Sequence, residues 1–277
     1  MMKILANDGI SQSGIDALEK GGFEVLTTKV AQNQLENYIN EHTIDGILVR
    51  SATQVRQELV DACPSIKLIG VLGVGMDNID AEYAEDQGLY VINAPEASAS
   101  SVAELVFAHL FGLARFLHAS NREMPLEGDS RFKELKKAYS QGIELKGKTI
   151  GIIGFGRIGQ AVAKIGLGLG MNVIATDDII TNAPISVDFF NGQKLTINID
   201  TIPKDELLKE ADFITLHVSA QEDYVISKKE IEKMKDGVGI INTARGGILH
   251  EVDLVMAIES GKVQFAGLDV IETEPKP

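Results

Sequence analysis

Cysteine is nearly absent: Cys63 is the one thiol in 277 residues. A disulfide framework is excluded, and a reducing compartment fits. Beside Pro64, a lone cysteine reads as a small buried hydrophobe. Positive charge is scarce as well. Lys and Arg number 26 against 40 Asp and Glu, a formal net charge of −14. Such a surface repels phosphate backbones and anionic lipid, so no nucleic acid and no membrane is expected as a partner. An anionic substrate would need local positive charge held against that field. No stretch is apolar for the length of a membrane span, and the opening MMKILANDG has neither a long apolar run nor a cleavage-site pattern. Low-complexity segments and clear short repeats are missing too. The expectation is a cytoplasmic protein.

What is present is a 44% hydrophobic chain, enough for two ordinary cores. Strands are expected at Lys3–Ala6, Glu24–Thr27, Gly46–Arg50, Leu68–Leu72 and Leu89–Ile92, with helix-length polar stretches between them. Strands alternating with helices predict a parallel sheet covered on both faces. A second alternating series is expected at Thr149–Ile153, Asn172–Thr176, Phe213–Val218, Gly239–Thr243 and Phe265–Val270. Between the two series, Val102, Leu105, Val106, Leu110 and Leu113 keep a helical spacing, and Phe107 and Phe111 make the other side apolar. A helix over 97–120, apolar nearly all round, should be buried on all sides as a connecting helix, a subunit interface or both. The charged segment 121–147 reads as irregular linker. One stretch breaks the second series. Asn191-Gly192, flanked by β-rich runs, predicts a hairpin near 186–199 with a two-residue turn.

The run TIGIIGFGRIGQ places Gly154, Gly156 and Gly159 in a G-x-G-x-x-G pattern after an apolar strand and at the start of a helix. Gly154 permits a tight turn. Gly156 lets the backbone approach a pyrophosphate on the helix N-terminus, and Gly159 allows close helix–strand packing. Asp177 follows at the end of the next strand, where an acid bonds ribose hydroxyls. Asp177 and Asp178 would repel a 2′-phosphate, so the expected cofactor is NAD.

Six stretches, LVRSATQV (48–55), GVGMDNID (73–80), NAPEASASSVAEL (93–105), GIIGFGRIGQ (151–160), INTARGGILHE (241–251) and GLDVIETEP (267–275), resemble the D-isomer-specific 2-hydroxyacid dehydrogenases in the order that family has them. The RSAT and NAPEASASSVAEL forms are most similar to the phosphoglycerate dehydrogenase branch. The resemblance implies an α/β fold with two doubly wound parallel-sheet domains. Residues 1–97 would form a flavodoxin-like substrate domain, completed in the family by a later return of the chain. Residues 98–277 would form a Rossmann NAD-binding domain that includes the connecting helix. It also implies hydride transfer between NAD(H) and a small D-2-hydroxy acid or 2-keto acid, with 3-phosphoglycerate and 3-phosphohydroxypyruvate as the leading pair. A glyoxylate or hydroxypyruvate reductase and an NAD-sensing binding module are the alternatives. A homodimer with the 97–120 helix at its interface is expected, and no metal.

Reduction of a 2-keto acid needs a grip on the carboxylate, positive charge at the keto oxygen and a proton donor within reach. Arg245 follows a strand's carboxyl end, where open α/β sheets bind ligands, and its planar charged fork suits a carboxylate and its adjacent carbonyl. Gly73, Val74 and Gly75 form another strand-end loop whose N–H groups could make an anion nest. The resemblance assigns the substrate carboxylate to that loop. Arg50 and Ser51 end the preceding strand on the same edge; a buried ion pair is the other reading of Arg50. Val71 stands where the phosphoglycerate branch often has an arginine, which weighs against phosphate recognition. The resemblance further assigns Arg157 and Ile158 to the pyrophosphate, Thr243 and Ala244 to the nicotinamide side, Val218 by its backbone, and Asp269 to the carboxamide. A hydrogen-bond donor to Asp269 is expected in any case, because an unpaired carboxylate at the end of an apolar strand would be costly.

Glu274 matches the family's catalytic glutamate, which raises the pKa of a proton-donating histidine and fixes its tautomer. In the family that histidine follows by some twenty residues, beyond Pro277. Among the five histidines here, only His217 ends a strand near the nucleotide, and it is a poor substitute. The 277-residue polypeptide is expected to be catalytically crippled. Robust turnover by a chain of verified mass would overturn that expectation.

Overall fold

The computed structural model describes residues 1–273, which fall into two compact units. The first, Met1–Ser98, contains β1 (Met2–Ala6), α1 (Gln12–Lys20), β2 (Phe23–Leu26), α2 (Leu35–His42), β3 (Gly46–Val49), α3 (Gln57–Ala62), β4 (Leu68–Val71), α4 (Ala81–Asp86) and β5 (Tyr90–Asn93). The strands form one parallel sheet in the order β2-β1-β3-β4-β5. Side chains alternate across it. Ile4, Ala6 and Leu48 pack on one face, and Leu5, Ile47 and Val49 pack on the other. Every residue of central β3 is buried, whereas edge strand β5 exposes Tyr90 and Ile92. Ser11 starts α1 by accepting the Gly14 N–H on its hydroxyl at 3.3 Å, an N-cap worth roughly 1 kcal/mol.

The second unit starts at Ala99. It contains α5 (Ala99–Ala114), α6 (Leu117–Tyr139), β6 (Thr149–Ile153), α7 (Arg157–Gly168), β7 (Asn172–Thr176), β8 (Asn182–Asp188), β9 (Lys194–Asp200), α8 (Lys204–Glu210), β10 (Phe213–Leu216), α9 (Lys228–Lys233), β11 (Val238–Asn242), α10 (Glu251–Glu259) and β12 (Val263–Leu268). Five strands form a parallel sheet in the order β12-β11-β10-β6-β7. One face packs Ile150 and Ile152 against Phe107 and Leu110 of α5 and Val162 of α7. The opposite face packs Ile153, Ile214, Leu216 and Ile240 against α8, α9 and α10. Both sheets are thus doubly covered parallel sheets, as the alternation of elements predicts.

Three local expectations need correction. The 97–120 helix is not continuous: α5 ends at Ala114, Phe116 takes a left-handed φ of 53°, and α6 leaves at a 52° bend. Nor is α5 buried on all sides, because Ala103, Val106, Phe107, Leu110 and Ala114 face the core while Phe111 is 43% exposed. No single helix is long and apolar enough to cross a membrane among the described residues.

The segment 121–147 is mostly helix rather than irregular linker. Pro125 and Gly128 disguised it, and only Leu135 of α6 is buried, so no apolar period was visible. Its polar surface is laced instead by Arg131 pairing with Glu127 and Glu134, one turn away on either side. The hairpin spans β8 and β9 and turns through three residues, not two. Gly192 N–H donates to Phe189 O at 2.9 Å, and Gly192 takes a φ of 83° before Phe189 N–H closes onto Gln193 O at 2.8 Å. This is a β-turn followed by a left-handed glycine bulge.

Candidate cofactor and substrate sites

In the second unit the glycine loop connects β6 to α7. Gly154 has a φ of 92°, and a Cβ there would lie 2.6 Å from the His217 carbonyl oxygen. A Cβ on Gly159 would lie 2.2 Å from the Gly154 carbonyl oxygen, so helix and turn touch backbone to backbone. Gly156 differs: a Cβ there would meet nothing within 4 Å. Gly156 is the N-cap of α7 and has no side chain to cap it, and no described acceptor takes the N–H groups of Arg157, Ile158 or Gly159. Open space in front of uncapped N–H groups at the positive end of a helix is a seat for a phosphate.

Asp177 follows β7, beside that loop. Its Oδ2 accepts from Phe155 N at 2.6 Å, and its Oδ1 accepts from Ile179 N and Ile180 N, both at 2.9 Å. Burial pushes this carboxyl up, but the three backbone N–H bonds outweigh it and hold the group below the usual aspartate value. It is therefore an anion locked in place, with one lone-pair site still available for a ribose hydroxyl. The sequence showed the acid; its role in tying two loops together was not visible.

Further along the same edge, Asn242 organises the loop after β11. It is 3% exposed. Its Oδ1 accepts from Ala244 N at 3.1 Å, its Nδ2 donates to Arg245 O at 2.9 Å, and its carbonyl accepts from Asp269 N at 3.0 Å. One buried amide thereby gathers Thr243, Ala244, Arg245 and Asp269. Arg245 is half-buried and donates from Nη1 to Ala244 O at 2.7 Å. Asp269 is exposed, so water solvates its carboxylate and the expected buried donor is not required. Val218 is half-buried, with its Cγ1 3.0 Å from the Cβ position of Gly154. Thr243 is buried and its Oγ1 has no partner.

His217, after β10, meets Thr215 Oγ1 through Nε2 at 2.9 Å, while its Nδ1 is sealed from solvent without a partner. Burial lowers its pKa to about 4. It is neutral at physiological pH and unsuited to donating a proton to substrate. Glu274 lies outside the described residues.

The first unit gathers a second group of predicted residues. Arg50 N donates to Asp8 Oδ2 at 2.7 Å and Arg50 O accepts from Asn78 Nδ2 at 2.7 Å, which fixes the loop after β3. The guanidinium is exposed and makes no ion pair among the described residues, contrary to the buried-pair reading. Ser51 is exposed beside it. Both line a cavity of about 320 Å³ at the carboxyl ends of β1, β2 and β3, together with Asp8, Gly9, Thr27 and Lys29. Asp8 is engaged within the fold: Oδ2 also accepts from Thr53 N at 3.1 Å and Oδ1 from Thr53 Oγ1 at 2.7 Å. Lys29 is exposed and has no carboxylate partner among the described residues. Its place beside Arg50 escaped the sequence reading, as did the buried Asn7, Thr53 and Asn78 that fix these loops.

Gly73, Val74 and Gly75 follow β4 on the same edge of that sheet. Ala94 N donates to Gly73 O at 2.9 Å, and Asn93 Nδ2 donates to Val74 O at 2.9 Å. With these carbonyls held, the loop's three N–H groups find no described acceptor, the arrangement expected of an anion nest.

Comparison with known proteins gives a consistent result. Residues 107–277 match the NAD binding domain of the D-isomer specific 2-hydroxyacid dehydrogenases, and residues 4–187 match their catalytic domain. The chain is 40% identical over 276 residues to a hydroxypyruvate reductase of Thermotoga maritima, covering 99% of this chain and 84% of that protein. It is 39% identical over 277 residues to a D-3-phosphoglycerate dehydrogenase of Methanocaldococcus jannaschii, covering 99% of this chain but 50% of that protein. The chain therefore spans about half the length of the phosphoglycerate dehydrogenase. Among solved structures, the D-lactate dehydrogenase of Aquifex aeolicus complexed with NAD and lactic acid is 32% identical with a TM-score of 0.71, covering 98% of this chain and 77% of that one.

Proposed function

The chain belongs to the D-isomer-specific 2-hydroxyacid dehydrogenase family and carries its NAD-binding domain, and from that premise we propose that it serves NAD-dependent interconversion of a D-2-hydroxy acid and its 2-keto acid. The substrate pair we propose is 3-phosphoglycerate and 3-phosphohydroxypyruvate. One observation carries the choice: Lys29 and Arg50, without ion-pair partners among the described residues, line the cavity after β1–β3 in a chain of net charge −14. Against that overall field, two cations and one carboxylate, Asp8, whose oxygens are held by Arg50 N–H and Thr53, leave a net positive cavity that favours a substrate with a second anionic group.

The residues divide the work as follows. The N–H groups of Gly73, Val74 and Gly75 hold the substrate carboxylate. Lys29, Arg50 and Ser51 hold the distal phosphate. Arg245 grips the carboxylate and stabilises negative charge growing on the keto oxygen. Arg157 and Ile158 present their N–H groups to the pyrophosphate, and Asp177 takes the ribose while disfavouring a 2′-phosphate. Val218, Thr243, Ala244 and Asp269 take the nicotinamide side. When bound, NAD would supply the hydride acceptor for the hydroxy acid's C2. Glu274 is proposed as the carboxylate that orients the imidazole receiving the hydroxyl proton. Exposed Phe111, Leu117, Leu126 and Phe132 on α5 and α6 support a homodimer formed through these helices.

A second reading, hydroxypyruvate as substrate, is favoured by Val71 and by the Thermotoga maritima relative. NADH fluorescence, titrated with each keto acid, separates the two without requiring turnover. We expect phosphohydroxypyruvate to bind roughly tenfold more tightly, the worth of one charge-assisted hydrogen bond. The reverse order would establish the second reading. NADH binding with no response to either acid would leave an NAD-sensing module.

A further inference from the structure

The tip of the β8–β9 hairpin carries Asn191-Gly192, the one asparagine–glycine pair in the chain. Phe190, Asn191, Gly192 and Gln193 are all exposed. Asn191 Oδ1 accepts from Gln193 N at 3.1 Å, so the carboxamide is folded forward along the chain with its carbonyl polarised. The Gly192 nitrogen is a member of the ring that this bond closes, as is the Asn191 Cγ. Asn191 Nδ2, in contrast, has no partner among the described residues. Gly192 gives no steric shield: a Cβ there would meet nothing within 4 Å, and its φ of 83° is natural to glycine. Every other asparagine precedes a residue with a side chain, and each lies in a helix or strand or gives its amide N–H to a neighbour.

We infer that Asn191 is a site of spontaneous covalent modification, in which the Gly192 nitrogen displaces ammonia from the side-chain amide. The Gly192 N–H gives its proton to water or hydroxide, the nitrogen bonds to Asn191 Cγ, and the Cγ–Nδ2 bond breaks to release ammonia. The product is a cyclic imide, a succinimide. Water then adds to either imide carbonyl carbon and breaks that carbon's bond to the ring nitrogen. Opening at Cγ leaves an aspartyl residue. Opening at the backbone carbonyl leaves an isoaspartyl residue, whose main chain runs through the former side chain. No electrons are exchanged: the side-chain amide and a water become a carboxylate and an ammonium ion. The Gly192 N–H donates to Phe189 O at 2.9 Å, and that bond must open first. At an exposed turn such an opening costs little. Ala183, Ile185 and Ile199 keep the hairpin rooted in the core while its tip changes. The loss of ammonia is one-way, so its extent records the age of the molecule.

The test incubates the whole purified chain in ¹⁸O-labelled water at mildly alkaline pH and follows its peptides by mass spectrometry. The peptide carrying residue 191 should gain the mass of an amide-to-acid conversion, with the heavy oxygen in the new carboxylate, before any other asparagine reacts. An isoaspartyl carboxyl methyltransferase should then transfer a labelled methyl group to that peptide. Gly192→Ala, which puts a methyl group on the carbon beside the attacking nitrogen, should slow the change about tenfold, a barrier higher by about 1.4 kcal/mol. Because that variant also strains the turn, its rate is compared with wild type in urea as well, where the turn is gone and the same slowing is expected. Asn191→Gln, whose longer side chain cannot close the same ring, should abolish the change at this position. An amide retained at 191 in the folded chain but lost in urea would overturn the inference, by making the Phe189 bond a shield. An unchanged rate in Gly192→Ala, or an earlier reaction at another asparagine, would overturn it too.

Discussion

The two units solve the same sheet in the same way and their binding edges in different ways. Renumbered from its own first strand, the second sheet runs in the order of the first: the second strand, then the first, third, fourth and fifth. Each places its loops at the carboxyl ends of parallel strands, on either side of the reversal in strand order. The second unit then prepares its edge by shape. Gly154 and Gly159 are fixed by backbone contacts that admit no side chain, and Gly156 keeps a space open before uncapped N–H groups. The first unit prepares its edge by charge. Its cavity has two cations, and the one carboxylate is already saturated by Thr53 and by the Arg50 N–H. Steric fit should therefore govern one edge and Coulombic attraction the other.

The sharpest way to break that contrast is to add a methyl group. Gly159→Ala should destabilise the second unit by about 3 kcal/mol or more, because the new Cβ meets a backbone oxygen at 2.2 Å and neither side can yield. Gly156→Ala should melt like the wild type yet lose NADH affinity. Calorimetric melting of both variants checks this, and equal melting temperatures would undo the account of the loop.

Acid comes next. An unfolded histidine titrates near 6.5 and the folded His217 near 4, so the neutral native imidazole contributes fully above pH 6.5. As pH falls from 6.5 to 4 the unfolded chain takes up a proton that the native chain refuses, removing about 3 kcal/mol. Urea unfolding across that range should show the loss, and His217→Asn should flatten it by about one proton.

A smaller effect is expected at the charged edge. Lys29→Met should weaken phosphohydroxypyruvate by about 1.4 kcal/mol, a factor of ten, and hydroxypyruvate hardly at all. Raising ionic strength should erode the wild-type preference in parallel. Lys29→Arg should retain it; a preference that survives Lys29→Met would remove the phosphate from this cavity. The smallest change expected is at Arg131, where alanine should scarcely move the melting curve, since its pairs with Glu127 and Glu134 are exposed.

Strands and the glycine loop were legible in the sequence because both have short-range signals: β-branched runs, and three glycines at fixed spacing before a helix. Helix α6 was hidden because it buries only Leu135 and carries Pro125, so neither period nor breaker argued for it. The hairpin was legible, but its turn was not, because a left-handed Gly192 serves a three-residue turn as readily as a two-residue one. The residues that fix the binding loops were the least visible. Asn7 reaches Thr53 across 46 positions, and Asn242 joins loops after two different strands. Polar residues in loops carry no period, and their partners are neighbours only after folding. The pairing of Lys29 with Arg50 on one cavity was hidden for the same reason.

The hairpin of β8 and β9 also has a practical meaning. In the first unit helix α2 lies between the second and third strands; here the hairpin is inserted ahead of the corresponding helix, α8, and Thr201 N–H meets Thr181 O at 3.0 Å, pinning the hairpin's two feet together. Ala183, Ile185 and Ile199 near those feet are buried in the core, while Phe189 and Phe190 at the tip face water. Foreign sequence spliced between Phe190 and Gly192 would leave the anchored feet undisturbed, so a tag or a reporter domain could be carried there with the second unit's sheet left intact.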